Sequence, residues 1–197
     1  MNTLARNFVI LVDEQDVQIG VADKIIAHQQ ALLHRAFSIM LFRYKDEQLQ
    51  FLLQQRALSK YHCGGLWTNT CCSHPQPNDN LQVSVLQRLQ EELLDIAVEH
   101  ITLSKVGEFI YQAKFDNGLT EHEYDHVFLA EYNDIPHFFN EDEIAELKWM
   151  SCHDIEELYS LHKNDFTPWF FKVYQLCKDE LINNGDHGTP VFCPPAK

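Results

Sequence analysis

The chain has 197 residues, with 29 Asp plus Glu against 15 Lys plus Arg and a formal net charge of −14. The length suits one domain of about 150 residues plus extensions, and 45% hydrophobic and 12% aromatic residues supply a real core, which excludes wholesale disorder. So acidic a protein is a poor general binder of nucleic acid or anionic membrane, and no apolar run nears the ~20 residues of a membrane helix.

Phe8 to Val12 is a short apolar stretch ending at Asp13-Glu14. It reads as a first strand and not as a signal peptide, so a soluble cytoplasmic protein is expected. Ala36 to Phe42 is largely apolar and reads as a buried strand, Tyr44 to Glu47 as a polar turn, and Leu49 to Leu53 as the second strand of a hairpin. Cys63-Gly64-Gly65 breaks the chain, and Trp67 to His74 lacks helical periodicity. Leu81, Val85, Leu89 and Leu93 recur every four residues, which predicts a helix, with Asn78, Asp79 and Asn80 as candidate N-caps. Val106–Phe115 and Tyr124–Tyr132 read as strands joined through Asp116-Asn117-Gly118, and Leu147–Met150 as a short strand. Asp154–Leu161 reads as a helix, and Thr167-Pro168 as the N-cap and first turn of a last helix that stops near Asn184-Gly185. Residues 186–197 carry three prolines and predict an extended tail. Strands, one central helix, more strands and then helices argue for a mixed α+β sandwich.

Cysteines stand at 63, 71, 72, 152, 177 and 193, with no CxxC pair and no secretion signal. They are expected as reduced thiols, most of them packed as small apolar side chains.

Four groups of residues could carry chemistry. His28 and His34 lie six apart, roughly 240° on a helix, so a shared ligand requires a loop or extended chain there; otherwise they are surface histidines. In extended chain, Cys72 and His74 point to one side, and a thiol beside an imidazole or a metal can become a nucleophile or an acid–base group. Glu121 and Glu123 likewise face one way and would repel unless a cation lay between them; the plain alternative is a solvated acidic loop. Glu92 sits beside Leu93 at the end of the central helix, where a carboxylate can help hold a hard cation, or can simply be solvated. The three imidazoles and two carboxylates of the first three groups form an N/O set that suits Zn²⁺, Mn²⁺ or Mg²⁺, unlike a structural cysteine–zinc site.

The order of these residues resembles type 1 isopentenyl-diphosphate Δ-isomerase, a family of the Nudix superfamily. The resemblance rests on His28…His34-Arg-Ala-Phe-Ser, Arg56-Ala-Leu-Ser-Lys60, Trp67-Thr-Asn-Thr-Cys-Cys72-Ser-His74-Pro, Tyr111, Glu121-His-Glu123 and Thr167-Pro-Trp169, and spans residues 8–180. It implies a Nudix-type α/β/α sandwich with a mixed sheet. The implied layout is an N-terminal strand and metal/substrate-binding segment over 1–32, a catalytic domain over 33–172, and a helix end with a Pro-rich tail over 173–197. The implied reaction interconverts isopentenyl and dimethylallyl diphosphate by protonation and deprotonation of the alkene, through a tertiary carbocation.

Carried onto this sequence, the resemblance makes Cys72 and Glu123 the catalytic pair, Tyr111 a hydrogen-bonding neighbour of the carboxylate, and Trp169 an aromatic over the reacting carbons. It makes His28, His34, His74, Glu121 and Glu123 ligands of one divalent metal (Zn, Mn or Mg), and Glu92 a ligand of a second ion, Mg²⁺, that arrives with the diphosphate. Lys24, Arg56, Lys60 and Ser73 become substrate contacts; a −14 protein needs such local positive charge to hold a diphosphate. The implied partner is the small isoprenoid diphosphate alone, without nucleic acid or membrane, and a monomer is expected because no apolar stripe is left over once the elements are assigned.

The general Nudix hydrolase box, GX5EX7REUXEEXGU, is degraded. Glu91-Glu92 fit its EE, but Gln87-Arg88 stand where Arg-Glu belongs, and Leu94 replaces a glycine, so the helix is expected to end differently. A Nudix diphosphohydrolase and a non-catalytic metal-binding or regulatory protein on the same scaffold are the competing readings.

Overall fold

The computed structural model describes residues 7–184. In chain order the elements are β1 (Phe8–Val12), β2 (Gln18–Asp23), α1 (Lys24–Gln29), β3 (His34–Lys45), β4 (Gln48–Arg56), β5 (Trp67–Thr68), β6 (Cys71–Ser73), α2 (Leu81–Glu92), β7 (Ser104–Lys114), β8 (Thr120–Glu131), β9 (Ile144–Ser151), α3 (Cys152–Leu161) and α4 (Phe170–Asn184). The strands form one nine-stranded sheet. β3 is its hub, antiparallel to β4 and β6 along one edge and parallel to β8 along the other. That parallel pair makes an otherwise antiparallel sheet mixed.

Alternation along the strands builds two cores. Phe37, Ile39, Leu41 and Leu52 pack on Val85, Leu89 and Leu93 of α2 and its C-cap. Met40, Leu49, Phe51 and Leu53 pack on Phe170, Val173 and Tyr174 of α4 on the opposite face. The result is the expected α/β/α sandwich with a mixed sheet. The functional side chains lie on the α4 face, because His34, Glu123 and Tyr111 are aligned across β3, β8 and β7.

Several boundaries differ from the sequence reading. β2 and α1 were not expected. β2 is an edge strand whose Ile19 and Val21 side lies open, at 68 and 45% exposure, as does Val17 just before it at 57%, so some apolar surface is left over after all. The turn after β3 is tighter than Tyr44–Glu47, being made by Asp46 and Glu47, both at positive φ (50° and 62°) as a two-residue hairpin turn requires. α2 takes Asn80 as its N-cap and ends with Leu93 in extended conformation (φ −107°), so no left-handed residue is needed and Leu94 fits where a glycine was anticipated. α4 begins at Phe170, not at Thr167-Pro168. Thr167 is tied to β5 instead, with its N–H on the Trp67 carbonyl (2.9 Å) and its hydroxyl on that of Thr68 (2.9 Å). The proline-rich tail and Cys193 lie outside the described residues, and no disulfide joins the other five cysteines. No helix among the described residues is long and apolar enough to cross a membrane.

Candidate active site

His28 and His34 meet because the chain between them is neither one helix nor fully extended. His28 lies in the last turn of the six-residue α1, and a turn through Ala31 at positive φ returns the chain so that His34 opens β3. Each ring is oriented by its own backbone: Nδ1 of His28 donates to the Lys24 carbonyl (2.5 Å) and Nδ1 of His34 to the Leu32 carbonyl (2.8 Å). Both Nε2 atoms are thereby left as lone-pair donors, the tautomer of a metal ligand. His34 Nε2 lies 3.2 Å from His74 Nε2, and His74 Nε2 lies 2.8 Å from Oε1 of Glu123. His28 Nε2 is fully buried and has no hydrogen-bond partner among the described residues.

Glu121 and Glu123 lie within β8, not in a solvated loop, and both are buried on the face that carries His34. His122 points the other way, with Nδ1 3.0 Å from the Ala31 carbonyl. Tyr111 Oη is 2.7 Å from Oε2 of each carboxylate. Burial opposes ionisation of Glu123, but hydrogen bonds and charge from His34 and His74 prevail and hold it well below the usual carboxylate range. Burial drives His74 down to about 4 and lowers His28 as well. For His34, burial is outweighed by the Glu123 carboxylate, which raises it. His28, His34, His74 and Glu123 offer ligand atoms within 4.8 Å of one another, and His28, His62 and Glu121 form a second such group. Three aligned imidazoles, two buried carboxylates and an orphaned buried Nε2 fit a divalent cation.

The Cys71-Cys72 pair is divided by strand alternation. Cys71 is fully buried against α2, while Cys72 lines the pocket beside Ser73 and His74. Burial pushes the Cys72 thiol far up despite the Arg56 guanidinium, whose Nη1 lies 3.9 Å from Sγ, so the thiol keeps its proton. Trp169 is 2% exposed and donates Nε1–H to Asn69 Oδ1 (3.2 Å), which holds the indole 5.8 Å, centroid to centroid, from Tyr111. Asn69 is fixed in turn by its amide on the Ile39 and Cys71 carbonyls. Part of the Thr-Asn-Thr run thus builds the wall rather than touching the pocket.

The other end of the pocket is cationic. Lys24, Arg56, Lys60 and Arg88 converge there, with Ser73 at its side. Burial, then Lys60 and Arg88, lowers Lys24, as expected when like charges are held together without their anion. Glu92 is 2% exposed; its Oε1 pairs with Arg88 Nε (2.7 Å), and its buried Oε2 has no hydrogen-bond partner among the described residues. Glu143 Oε2 bridges Lys60 Nζ (2.5 Å) and Arg88 Nη2 (2.7 Å). The pocket encloses about 510 Å³ of non-atom space, part of it open to solvent.

Ten of the residues singled out in the sequence line this pocket, His28 and His34 join its metal-ligating group, and Glu92 is outside both and linked to the pocket through Arg88. Tyr61, His62, Arg88 and Glu143 also line it and were not anticipated as site residues. Arg88 could have been read from its i,i+4 spacing to Glu92; the other three have no spacing signal. His62 comes from the loop after β4, which turns at Gly64 so tightly that a Cβ there would lie 2.7 Å from the Leu58 carbonyl oxygen.

The NUDIX domain family matches residues 32–170. The chain is 42% identical over 173 residues to a protein of Photobacterium profundum named isopentenyl-diphosphate Delta-isomerase, covering 88% of this chain and 95% of that one. It is 47% identical over 175 residues to isopentenyl-diphosphate Delta-isomerase 2 of Aromatoleum aromaticum, covering 89% and 86%. Among solved structures, DR0079 from Deinococcus radiodurans superposes with a TM-score of 0.67 at 14% identity over 86% of this chain and 98% of that one. The NUDIX domain of Shewanella oneidensis NrtR, complexed with ADP ribose, gives 0.56 at 16% identity over 76% and 88%. These two structural likenesses concern the fold alone. Nudix enzymes use divalent metals, and the His/Glu group here could bind one.

Proposed function

The chain belongs to the isopentenyl-diphosphate Delta-isomerase family within the Nudix fold, and on that premise we propose that it moves the double bond of isopentenyl diphosphate by one carbon, reversibly, with Cys72 and Glu123 exchanging the protons. One proton adds to the terminal alkene carbon and one leaves the carbon on the other side of the resulting tertiary cation. Nothing is oxidised or reduced overall.

The observation that carries the reading is that Cys72 and Glu123 line one pocket, where burial favours the protonated thiol and the His34 and His74 imidazoles favour the ionised carboxylate. Cys72 and Glu123 come from strands on opposite edges of β3, so an alkene seated over that strand has a group with a proton on one side and a group without one on the other. Tyr111 touches the Glu123 oxygen and can hand on or take back its proton. The buried face of Trp169 excludes water, which would trap the carbocation, and stabilises positive charge by on the order of 2 kcal/mol. Lys24, Arg56, Lys60 and Arg88 hold the diphosphate, with Ser73 as a further contact.

His28, His34, His74, Glu121 and Glu123 are the residues that would hold Zn²⁺, Mn²⁺ or Mg²⁺, and Glu92, with its partnerless oxygen, would meet a Mg²⁺ carried by the diphosphate. The bound charge supplies electrostatic balance for clustered carboxylates and keeps the Glu123 carboxylate fixed. The diphosphohydrolase reading is disfavoured, because Gln87 and Arg88 stand where the box has Arg and Glu, which removes a carboxylate from the helix those enzymes use to hold Mg²⁺.

Incubating the protein with isopentenyl diphosphate and Mg²⁺ in D₂O, followed by proton NMR, tests the proposal. Dimethylallyl methyl signals should grow and deuterium should enter the product. Release of phosphate or pyrophosphate without isomerisation would favour the hydrolase reading, and no change in metal-replete protein would leave a binding protein.

A further inference from the structure

His62 has no part in the steps above, yet it makes the shortest contact to Glu121 from any histidine. Its Nε2 lies 2.8 Å from Glu121 Oε1, against 3.9 Å for His28 Nε2. The ring is buried (7% exposed) and clamped. One face stacks on Phe115 at 4.9 Å and 5°, and the Tyr61 ring packs on it edge-on at 4.4 Å. Its carbonyl accepts from Arg56 Nη2 at 3.4 Å. The loop bearing it is pinned by the Asn117 side-chain amide on the Tyr61 carbonyl (2.6 Å).

We infer that His62 is a positioning residue for the metal centre, acting through Glu121. The inference rests on the metal reading above. Nε2 lies at donor distance from Glu121 Oε1, and Nδ1 is buried with no hydrogen-bond partner among the described residues, so no backbone carbonyl presents this ring for ligation in the way the Lys24 and Leu32 carbonyls present His28 and His34. With its proton on Nε2, His62 donates to Glu121 and orients a ligand rather than serving as one. Tyr111 Oη lies 2.7 Å from Oε2 of Glu121 and equally from Oε2 of Glu123, so His62 on Oε1 is the donor that still holds the Glu121 carboxylate when the Tyr111 hydroxyl turns to Glu123. Outer partners of this kind set the orientation of ligating carboxylates. The same residue holds Arg56 by its carbonyl, so one loop position serves both ends of the pocket.

The test is metal binding by the full chain, stripped of metal and titrated with Mn²⁺ and with Zn²⁺ in a calorimeter, without substrate. His62→Phe keeps the stacked ring and removes the donor; His62→Gln loses the ring and keeps an N–H near Nε2. Affinity should fall about 10- to 100-fold in His62→Phe and stay within about threefold of wild type in His62→Gln, with metal-free far-UV spectra unchanged. Should His62→Phe not fold, His62→Asn, whose amide stops short of Glu121, takes its place with the same expectation. Wild-type affinity in the donor-less variant overturns the inference while the metal reading stands. Equal losses in the Phe and Gln variants overturn it too, because ring packing would then be the cause. A wild type that takes up neither ion, like a His74→Ala control, would defeat the metal reading and this inference with it.

Discussion

The phenolic oxygen of Tyr111 lies 2.7 Å from Oε2 of Glu123. The same oxygen lies 2.7 Å from Oε2 of Glu121, so a single O–H faces two carboxylates and can donate to only one at a time. The hydroxyl is therefore placed to follow the protonation of Glu123 during turnover. Tyr111→Phe should lower kcat by about 100-fold with KM little changed, since the ring beside Trp169 is kept. Metal content should be retained. A loss of tenfold or less would mean that the hydroxyl serves the fold and not the proton transfer.

Cys72 and Cys71 should separate cleanly. Cys72→Ala and Glu123→Gln should each remove almost all isomerase activity and leave the far-UV spectrum unchanged. Activity within about tenfold of wild type, some 1.4 kcal/mol of barrier, would sink the role of that residue. Cys71 is fully buried against α2, so Cys71→Ala should cost about 1 kcal/mol of stability and leave turnover near wild type. Because burial holds the Cys72 thiol protonated, iodoacetamide should modify it slowly at pH 7, and rapid alkylation there would contradict the neutral thiol.

Among the described residues, the His74 ring is hydrogen-bonded within the cluster, to His34 at 3.2 Å and Glu123 at 2.8 Å. His74→Ala should lower metal content as well as rate, read by elemental analysis of dialysed protein. Stripping the wild type with a chelator should abolish turnover and lower the melting temperature, and adding back a divalent ion should restore both. A full metal complement in the mutant would remove His74 from the ligand set.

What the sequence made legible follows from how local each signal was. The β3–β4 hairpin and α2 stood out because their apolar residues become the two cores, and β1 because its short apolar run ends on charged residues. Cys72 with His74, and Glu121 with Glu123, were legible because extended chain sends alternate residues to one face. α1 escaped notice because six residues show no helical period, and β2 because its apolar side faces solvent. Tyr61, His62 and Glu143 come from loops that only the folded sheet brings to the pocket, and nothing in their spacing announces that. Thr167 looked like a helix cap, but its hydroxyl had a better partner in Thr68, close in space and distant in sequence.

Glu143 gives the pocket a measurable pH dependence in the absence of ligand. Burial opposes its charge, but Arg88 and Lys60, both bonded to Oε2, overcome that and hold the carboxyl below its ordinary value. A folded-state value below the unfolded one means that the ion pairs stabilise the protein above the unfolded pKa, about 4.5. That contribution is lost as the pH falls through the folded value. Glu143→Gln should therefore be less stable than wild type by on the order of 1 kcal/mol at pH 7. The gap should shrink as the pH is lowered from 5 toward 3, read from parallel urea melts. A gap that stays constant across that range would show that the carboxylate charge contributes nothing and that only the shape of the side chain matters. High salt at pH 7 should shrink the gap only slightly, because the pair is mostly shielded from solvent, at 18 and 12% side-chain exposure for Lys60 and Arg88.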